Sequence, residues 1–593
     1  MPSPPISHPT SLDISARIRA QEAHIAELEA ALWDGGLNES ILADYQAAFR
    51  ELESLLGTRP EGDRRHHFVI VIPVADSPKQ LHACLDSLLT LCRNYGYGGM
   101  RQGLFRKVSV LLADDSADSG SIERNREIAR TFEQSGIQTE YFGIDEQLGL
   151  MQRLHALDLA AIVGVHPRNA FGHKGQAMMR NIAYLKLAEM RSQMPGERCL
   201  FYTIDADQQF MVTVATPQGA RSLYAVNHLY HLDRIFDRTE ARVVTGKVVG
   251  DPPVSPAVMA ATFLEDVISF VREMAACDPK QPYRQPFADT RGSGEAAYHD
   301  MAEMFGFRAE AEVYRYRCKL DGTPDNATCF VEFSERLNRF FHGEHPTRIT
   351  WYRYQNVDDS VQPARTVYTG NYVFGMDALE WFIPFAPLRL RMSGPTMGRL
   401  LKSVIGDRFV SANVPMLHRR TLEATGQSEF RPGVVSEQQA VALCDEFERQ
   451  FFGDVMLFSI EGLAVQGFPA SQWPRRLVAE TLDRVYSDMR KKYHTRQELI
   501  LDRLDQLRTL LRGDERWWNR SALYAHALGR FEVFVENLER NFGEGSSCRA
   551  RIDSEASWAA WRERQLAAII GLHADQQTWL QALDVLSRSG PER

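Results

Sequence analysis

The chain has 593 residues, of which 44% are hydrophobic and 24% charged, and its formal net charge is −9. This composition is typical of a globular protein with two or more domains, and the acidic balance argues against a nucleic-acid partner. No apolar run approaches the roughly 18–20 residues that span a bilayer, and no basic stretch followed by an apolar one opens the chain. We therefore expect neither a transmembrane segment nor a signal peptide. The eight scattered cysteines form no Cys-x-x-Cys pair, which indicates reduced thiols and a cytoplasmic protein.

The N-terminal part of the chain is predicted to contain disordered residues 1–12 and a helical hairpin over residues 13–58. Apolar residues repeat at heptad-like spacing before Gly35-Gly36, and at spacings of three and four after it. We expect the hairpin to pack against the globular body of its own chain. The alternative is a short coiled-coil contact between two copies, so the terminal helices are where a homo-oligomer would form.

A central α/β domain is predicted over residues 66–430, followed by a helical domain over residues 436–593. Residues 68–73, 108–112 and 200–204 read as buried strands, residues 137–142 as a weaker one, and amphipathic helical patterns lie between them. This alternation predicts a right-handed, parallel arrangement, which the Pro- and Gly-containing second half extends into a mixed sheet. The predicted fold class is α/β: a Rossmann-like mixed sheet with an N-terminal helical hairpin and a C-terminal all-helical region.

The triplet Asp205-Ala-Asp207 follows the strand at residues 200–204 and is the strongest candidate for a chemical site. In extended backbone the two carboxylates would point to the same side, roughly 6–7 Å apart. Such a pair suits Mg²⁺ or Mn²⁺, which would also bind phosphate oxygens of a substrate. The alternative is that the triplet only begins a solvated turn.

Polar residues follow other predicted strands and should meet Asp205 at the same edge of the sheet, because parallel sheets bind ligands at strand carboxyl ends. Two of these groups are Pro73 to Asp76 and Asp114-Asp115-Ser116. Between them and Asp205 lies a glycine-flanked turn with Lys174, which opens a helix carrying Arg180. Backbone amides at that helix N-terminus would suit a diphosphate. Helix capping by Asp114-Asp115 and a solvated helix start at Lys174 are the alternatives.

This order of motifs resembles the GT-A glycosyltransferases, particularly the family 2 type, over roughly residues 66–425. The first strand of that family and its polar turn are matched by Val71-Ile-Pro-Val-Ala-Asp76, and its base-contacting turn by Asp114-Asp115-Ser116. Its helix start near the pyrophosphate is matched by Gly175-Gln-Ala-Met-Met-Arg180-Asn181, and its metal-binding Asp-x-Asp by Asp205-Ala-Asp207. The resemblance implies a GT-A-type fold for the central domain.

The resemblance also implies an activity, the transfer of a sugar from a nucleotide-diphosphate donor to a carbohydrate or other hydroxyl acceptor, with Mn²⁺ or Mg²⁺ as cofactor. The glycine loop near the acceptor is matched by Thr369-Gly370, and the late histidine that often completes the metal shell by His418. The implied metal ligands are Asp205, Asp207 and His418. The implied donor-binding residues are Pro73, Asp76, Asp114, Asp115, Lys174, Arg180 and Asp205.

One departure from the family affects the mechanism. Inverting members have a Glu-Asp pair after the glycine loop, whose Asp is the general base, and this chain has Ser393-Gly394-Pro395 there. Three explanations stay open: another carboxylate is the base, the enzyme is retaining, or activity has been lost. Glu295 and Asp300 are candidate bases, and surface residues around a glycine turn are the alternative reading. Ala75 is a second departure, because many relatives have a polar or aromatic residue near the nucleotide base.

Two other functions remain in competition with glycosyl transfer. A nucleotidyltransferase is disfavoured because residues 74–78 contain no glycine, where such enzymes have a Gly-rich loop. Neither a dinucleotide-binding Gly-x-Gly-x-x-Gly after a strand nor a P-loop is present. The second alternative is a catalytically degenerate protein that binds nucleotide sugars or acts as a scaffold.

Overall fold

A computed structural model describes most of the chain. The described ranges are residues 11–60, 62–167, 170–194, 196–216, 219–253, 255–286, 315–367, 370–420, 433–470 and 473–588. Of the segment predicted to be disordered, residues 1–10 lie outside these ranges. Glu295, Asp300 and Thr369 also lie outside them.

The centre of the fold is a mixed sheet whose long strands come from the predicted α/β domain. These strands are β1 (His67–Val74), β2 (Val108–Asp114), β3 (Gln138–Phe142), β4 (Cys199–Ile204), β5 (Val243–Gly250), β6 (Asn371–Gly375) and β7 (Phe409–His418). Their spatial order is β3-β2-β1-β4-β6-β5-β7. Strand β6 runs antiparallel to both of its neighbours, whereas the other pairs are parallel. The sheet therefore has its carboxyl ends, apart from that of β6, along one edge.

Helices cover both faces of this sheet. The helices of the N-terminal half are α1 (Ser11–Trp33), α2 (Leu42–Gly57), α3 (Pro78–Tyr95), α4 (Ser119–Gln134), α5 (Ile144–Arg153), α6 (Ala160–Val163), α7 (Gln176–Gln193) and α8 (His228–Arg238). Those that follow are α9 (Pro256–Ala276), α10 (Asn326–Arg336), α11 (Ser393–Ile405), α12 (Cys444–Ala464), α13 (Arg475–Arg512), α14 (Ala525–Phe542), α15 (Ser547–Asp553) and α16 (Glu555–Arg588).

Alternation along the strands explains the two layers, because successive side chains of a strand point to opposite faces. On β1, Phe68, Ile70 and Ile72 belong to a core shared with α1, α2, α3, α4 and α8. Val69 and Val71 belong to a second core shared with α7, α9 and the C-terminal helices α12 to α16. Since every residue of β1 is buried, the continuous apolar run that predicted a buried parallel strand is explained.

The predicted fold class is confirmed: a Rossmann-like mixed sheet lies between N-terminal helices and a C-terminal helical region. The N-terminal helices pack on the body of their own chain, because Ile18 and Ile25 are buried in the same core as β1. Trp33 also stacks on Tyr354, with ring centroids 5.4 Å apart. Homo-oligomer formation through the terminal helices stays a prediction.

The cysteines and helices also bear on the sequence expectations. All eight cysteines are free thiols, most of them buried. No helix in the described ranges is both long and apolar enough to cross a membrane.

A buried carboxylate tests how the hairpin packs. Glu29 on α1 is only 8% exposed. Burial raises the pKa of Glu29 from its ordinary value of 4.5 to about 7. The negative charge of Asp358 adds a smaller increase, and the positive charge of Arg234 opposes it. Because the folded-state pKa is the higher one, the stability of the fold should decrease as the pH rises from 4.5 to 7.

Glu29→Gln should therefore stabilise the protein at pH 8, by up to about 3 kcal/mol at 1.4 kcal/mol per pKa unit, and have little effect at pH 4.5. Thermal unfolding of wild type and variant at both pH values measures the difference. Glu27→Gln, which changes an exposed residue of the same helix, is the control. The packing described here would be contradicted by the same pH dependence in wild type and Glu29→Gln.

Candidate functional site

Strand register brings the predicted site residues to one edge of the sheet. Val74, the last residue of β1, pairs with Asp114 at the end of β2. The last residue of β4, Ile204, pairs with Asn371 at the start of β6, and Gly250 at the end of β5 pairs with His418 at the end of β7. A cavity of about 720 Å³ opens at this edge. Its lining includes Pro73, Asp115, Asp205, Asp207, His418, Gly370 and Arg420.

Asp205 is held by the helix that follows the Lys174 turn. Its Oδ1 accepts hydrogen bonds from Gln176 Nε2 (2.5 Å) and from the guanidinium of Arg180. Arg180 is buried on α7, so its charge is directed at Asp205 rather than into the cavity. The other carboxylate oxygen, Oδ2, lies against Gly370: a Cβ placed on Gly370 would approach it to 2.5 Å. Only glycine fits there, and the sequence suggested this position only through its resemblance to a glycine loop.

Asp207 is held by the end of β7. Its Oδ2 contacts the guanidinium of Arg420 and lies 3.2 Å from His418 Nε2. His418 Nδ1 lies 2.7 Å from the carbonyl oxygen of Asp251. Since a carbonyl only accepts, Nδ1 carries a hydrogen, and Nε2 is the nitrogen that faces Asp207. The sequence reasoning missed Arg420, because it selected only His418 from the run His418-Arg419-Arg420.

Charge distinguishes the two aspartates. Burial raises the pKa of Asp205 above its ordinary range, although Arg180 opposes this. For Asp207 burial acts in the same direction, but the charges of His418 and Arg420 outweigh it and hold the pKa well below its usual range. Burial lowers the pKa of His418, but the charge of Asp207 outweighs this effect and raises it. Asp207 is therefore the more firmly ionised of the pair.

The donor atoms of Asp207 and His418 fit a divalent cation. Asp207 Oδ1 is buried and has no hydrogen-bond partner among the described residues, and a buried carboxylate oxygen without a partner is costly. Its neighbour His418 has its second ring nitrogen fixed by a carbonyl, which is the usual arrangement of a metal-binding histidine. Within the described ranges no group of three or more His, Cys, Asp or Glu side chains could hold a metal ion by itself. A cation here would need further oxygen ligands from a substrate or from water.

Asp115 and Lys174 form a buried lock between β2 and α7. Lys174 is fully buried and its Nζ lies 2.6 Å from Asp115 Oδ1. The backbone amides of Lys174 and Gly175 also donate to the Asp115 carboxylate, both at 3.1 Å. The amides that the sequence suggested for a diphosphate are therefore occupied by Asp115. Burial lowers the pKa of Lys174 and Asp115 opposes this.

Asp114 and Asp76 also make internal contacts. Asp114 is buried and accepts hydrogen bonds from Tyr141 Oη (2.8 Å) and Asn125 Nδ2 (3.1 Å). Asp76 has a left-handed backbone with φ of 48°, and its Oδ2 lies 2.5 Å from Nε2 of His173. Of the residues predicted to bind the donor, Pro73, Asp115 and Asp205 line the cavity, whereas Asp76, Asp114, Lys174 and Arg180 are not part of its lining.

A further part of the cavity wall comes from residues that the sequence reasoning did not include among the donor-binding and metal-binding residues. The loop over residues 389–395 lines it, as do Asp445, Glu448 and Arg449 of α12 and Trp561 of α16. Both carboxylates interact with Arg551: Asp445 makes a close ion pair, and Glu448 Oε2 lies 3.2 Å from the guanidinium. Residues 393–395 were marked in the sequence only as the place of the missing Glu-Asp pair. No local motif marked the positions on α12 and α16, because a helical pattern does not disclose which face meets a distant strand end.

Comparison with known proteins adds little. No protein-family model matches the chain, and no curated protein matches it. Among solved structures, a mannosyltransferase from Pyrobaculum calidifontis in complex with GDP-Man and Mn²⁺ aligns at 10% identity with a TM-score of 0.30, over 94% of this chain and 99% of its own. Mouse xyloside xylosyltransferase 1 in its apo form aligns at 13% identity with a TM-score of 0.17, over 37% of this chain and 61% of its own. Likenesses with such TM-scores carry no argument about this chain.

The lock between Lys174 and Asp115 predicts a stability effect. Lys174→Met should lower the free energy of unfolding by about 3–5 kcal/mol, because it leaves a buried carboxylate without its cation. Urea unfolding of the ligand-free protein measures this, with Lys79→Met, a change at an exposed lysine of α3, as the control. An unchanged unfolding midpoint for Lys174→Met would instead indicate that the Lys174 amine does not stabilise the fold and is available to bind a ligand.

Proposed function

We propose that this chain is a metal-dependent glycosyltransferase of the GT-A type, family 2-like, that moves a hexosyl group from a nucleotide-diphosphate donor to an acceptor hydroxyl. The observation that carries the proposal is Asp207 on the wall of a large cavity, with one buried oxygen that has no hydrogen-bond partner among the described residues and with His418 Nε2 at 3.2 Å from the other. A cavity of this size with a few convergent polar groups is where a substrate would bind.

Asp207 and His418 would hold Mn²⁺ or Mg²⁺ together with the donor diphosphate. When bound, the cation supplies Lewis-acid stabilisation of the charge that grows on the departing nucleotide diphosphate. Asp205 has a different part in this proposal. Because Arg180 and Gln176 take up its Oδ1 and Gly370 packs against its Oδ2, it sets the shape of the site beside the ligands. That Asp205 also binds the metal stays a prediction.

The donor would lie along the carboxyl ends of β1, β2 and β4. Pro73 and Asp115 would form its wall, and Asp76, Asp114 and Lys174 would hold that wall in place through the contacts described above. Arg180 would act through Asp205. This division supports recognition of the donor mainly by a rigid, preorganised surface. His173, which contacts Asp76 and lines the cavity, is an additional polar contact on this wall.

In the transfer, the acceptor oxygen forms a bond to the anomeric carbon of the sugar. The bond from that carbon to the diphosphate oxygen breaks, and the nucleotide diphosphate leaves with the electron pair. The acceptor proton is released to water. Glu295, the sequence candidate for a general base, lies outside the described residues and stays a prediction.

Asp207→Asn tests the proposal directly. The variant should lose at least 100-fold in nucleotide release from a sugar-nucleotide panel with Mn²⁺, because it removes the ionised ligand at the donor diphosphate. Release of nucleotide is measured with and without Mn²⁺ and with a range of acceptors. Asp237→Asn, at a largely exposed residue of α8, is the control, and circular dichroism checks the fold.

Equal release by wild type and Asp207→Asn would contradict the assignment. The second candidate is a nucleotide-sugar-binding protein without turnover. The contact of Arg420 with Asp207 favours it, because the guanidinium neutralises the carboxylate without a metal ion. Thermal stabilisation by a nucleotide diphosphate and Mn²⁺, with no release from any donor, would support that function instead.

A further inference from the structure

A second part of the cavity lining, formed by the loop before α11 and by α12, carries more positive charge than its ion pairs neutralise. Arg389, Arg391 and Arg449 all line it. Arg389 and Arg391 belong to the loop before α11, and Arg449 belongs to α12 of the C-terminal helical region. Burial lowers the pKa of Arg449, and the charges of Arg391 and Arg389 act in the same direction, whereas Glu446 opposes them.

Backbone contacts fix the positions of these arginines. Arg449 Nε donates to the carbonyl oxygen of Arg389 at 2.6 Å, and the Arg391 amide donates to the carbonyl oxygen of Arg449 at 3.2 Å. Arg389 has a left-handed backbone with φ of 52°, which turns the loop toward α12. The loop and the helix are therefore joined at the arginines themselves, and Arg449 is not a mobile surface side chain.

Acidic neighbours neutralise only part of this group. Glu446 is paired with Arg391 at 3.0 Å. Asp445 and Glu448, the acidic residues of α12 that line the cavity, interact with Arg551. Among the described residues, no carboxylate lies within ion-pair distance of the Arg389 or Arg449 guanidinium. Two positive charges on this wall thus face the cavity without a counter-ion.

Arg389 also lies close to the donor wall of the cavity. A Cβ added to Gly175, on the donor wall, would lie 3.9 Å from Cγ of Arg389. The loop then leads into the N-terminus of α11 at Ser393, where the helix dipole adds further positive potential. An anion on this wall would therefore sit beside the donor, where an acceptor has to be.

We propose that Arg389 and Arg449 form a subsite for a negatively charged acceptor, a small hydroxyl compound that carries a carboxylate or a phosphate group. This inference rests on the proposed function and specifies its acceptor. Guanidinium groups bind both kinds of anion through paired N–H donors. The anion would anchor the acceptor on the α12 wall and direct its hydroxyl toward the sugar on the Asp207 wall, which reduces the entropy lost on reaching the reactive arrangement.

Binding of three two-carbon probes tests the subsite: ethylene glycol, glycolate and 2-hydroxyethyl phosphate, which differ only in the charged group. Calorimetric titrations use the full-length protein, with Mn²⁺ and a nucleotide diphosphate present so that the donor side is occupied. Glycolate and 2-hydroxyethyl phosphate should bind, and the neutral ethylene glycol should not. The affinities of the two anions show whether the subsite prefers a carboxylate or a phosphate. Arg449→Met and Arg389→Met should weaken anion binding at least tenfold, while Arg238→Met, at a largely exposed residue of α8, should not.

The affinity of each variant for the nucleotide diphosphate alone separates the failures. A loss of that affinity in Arg449→Met would overturn the inference, because it would place Arg449 at the donor. Equal binding of all three probes, or anion binding that survives both substitutions, would also overturn it. If the wild type binds no nucleotide diphosphate, the proposed function fails, and anion binding measured without nucleotide still decides whether the subsite exists.

Discussion

The structure depends on the neutralisation of two neighbouring half-buried carboxylates by cations from different parts of the chain. Arg180 of α7 pairs with Asp205, and Arg420 and His418 at the end of β7 pair with Asp207. A buried carboxylate without such partners would cost several kcal/mol. These ion pairs therefore join the end of β4 to a helix from the first half of the fold and to a strand from the second. The same arrangement favours the ionised form of Asp207 and leaves one of its oxygens without a partner among the described residues, which is the property that a cation site requires.

Much of the sheet could be predicted because its signals are local. The β-branched run at residues 68–73 and the amphipathic face of α3 specify a buried strand and a covering helix by periodicity alone. The convergence of Asp114, Asp205 and Lys174 followed from one general rule, that parallel strands carry ligands at their carboxyl ends. The structure brings these residues to that edge of the sheet. The rule did not tell which side chains of that edge face the cavity.

What the sequence did not disclose were the partners of each polar group. Asp115 and Lys174 were both expected to contact the donor, yet they form an ion pair with each other at 2.6 Å. The sequence did not indicate this contact, because the two residues are far apart along the chain. Arg420 stands two residues after His418 and reaches Asp207 because the end of β7 pairs with Gln208 and Gln209, which follow Asp207 directly. The wall formed by Arg449 and Trp561 could not be found from sequence either, since which face of a C-terminal helix meets the cavity depends on packing over more than 100 residues of chain separation.

The central claim is that Asp207 and His418 bind a divalent cation together with a nucleotide diphosphate. The most direct measurement is an anomalous difference map from crystals soaked with Mn²⁺ and a nucleotide diphosphate, with data collected above the manganese absorption edge. We expect one strong peak within about 2.0–2.3 Å of an Asp207 oxygen and His418 Nε2, with the guanidinium of Arg420 withdrawn from Asp207. A diphosphate bound in the cavity with Arg420 still on Asp207 and no manganese peak there would contradict the claim.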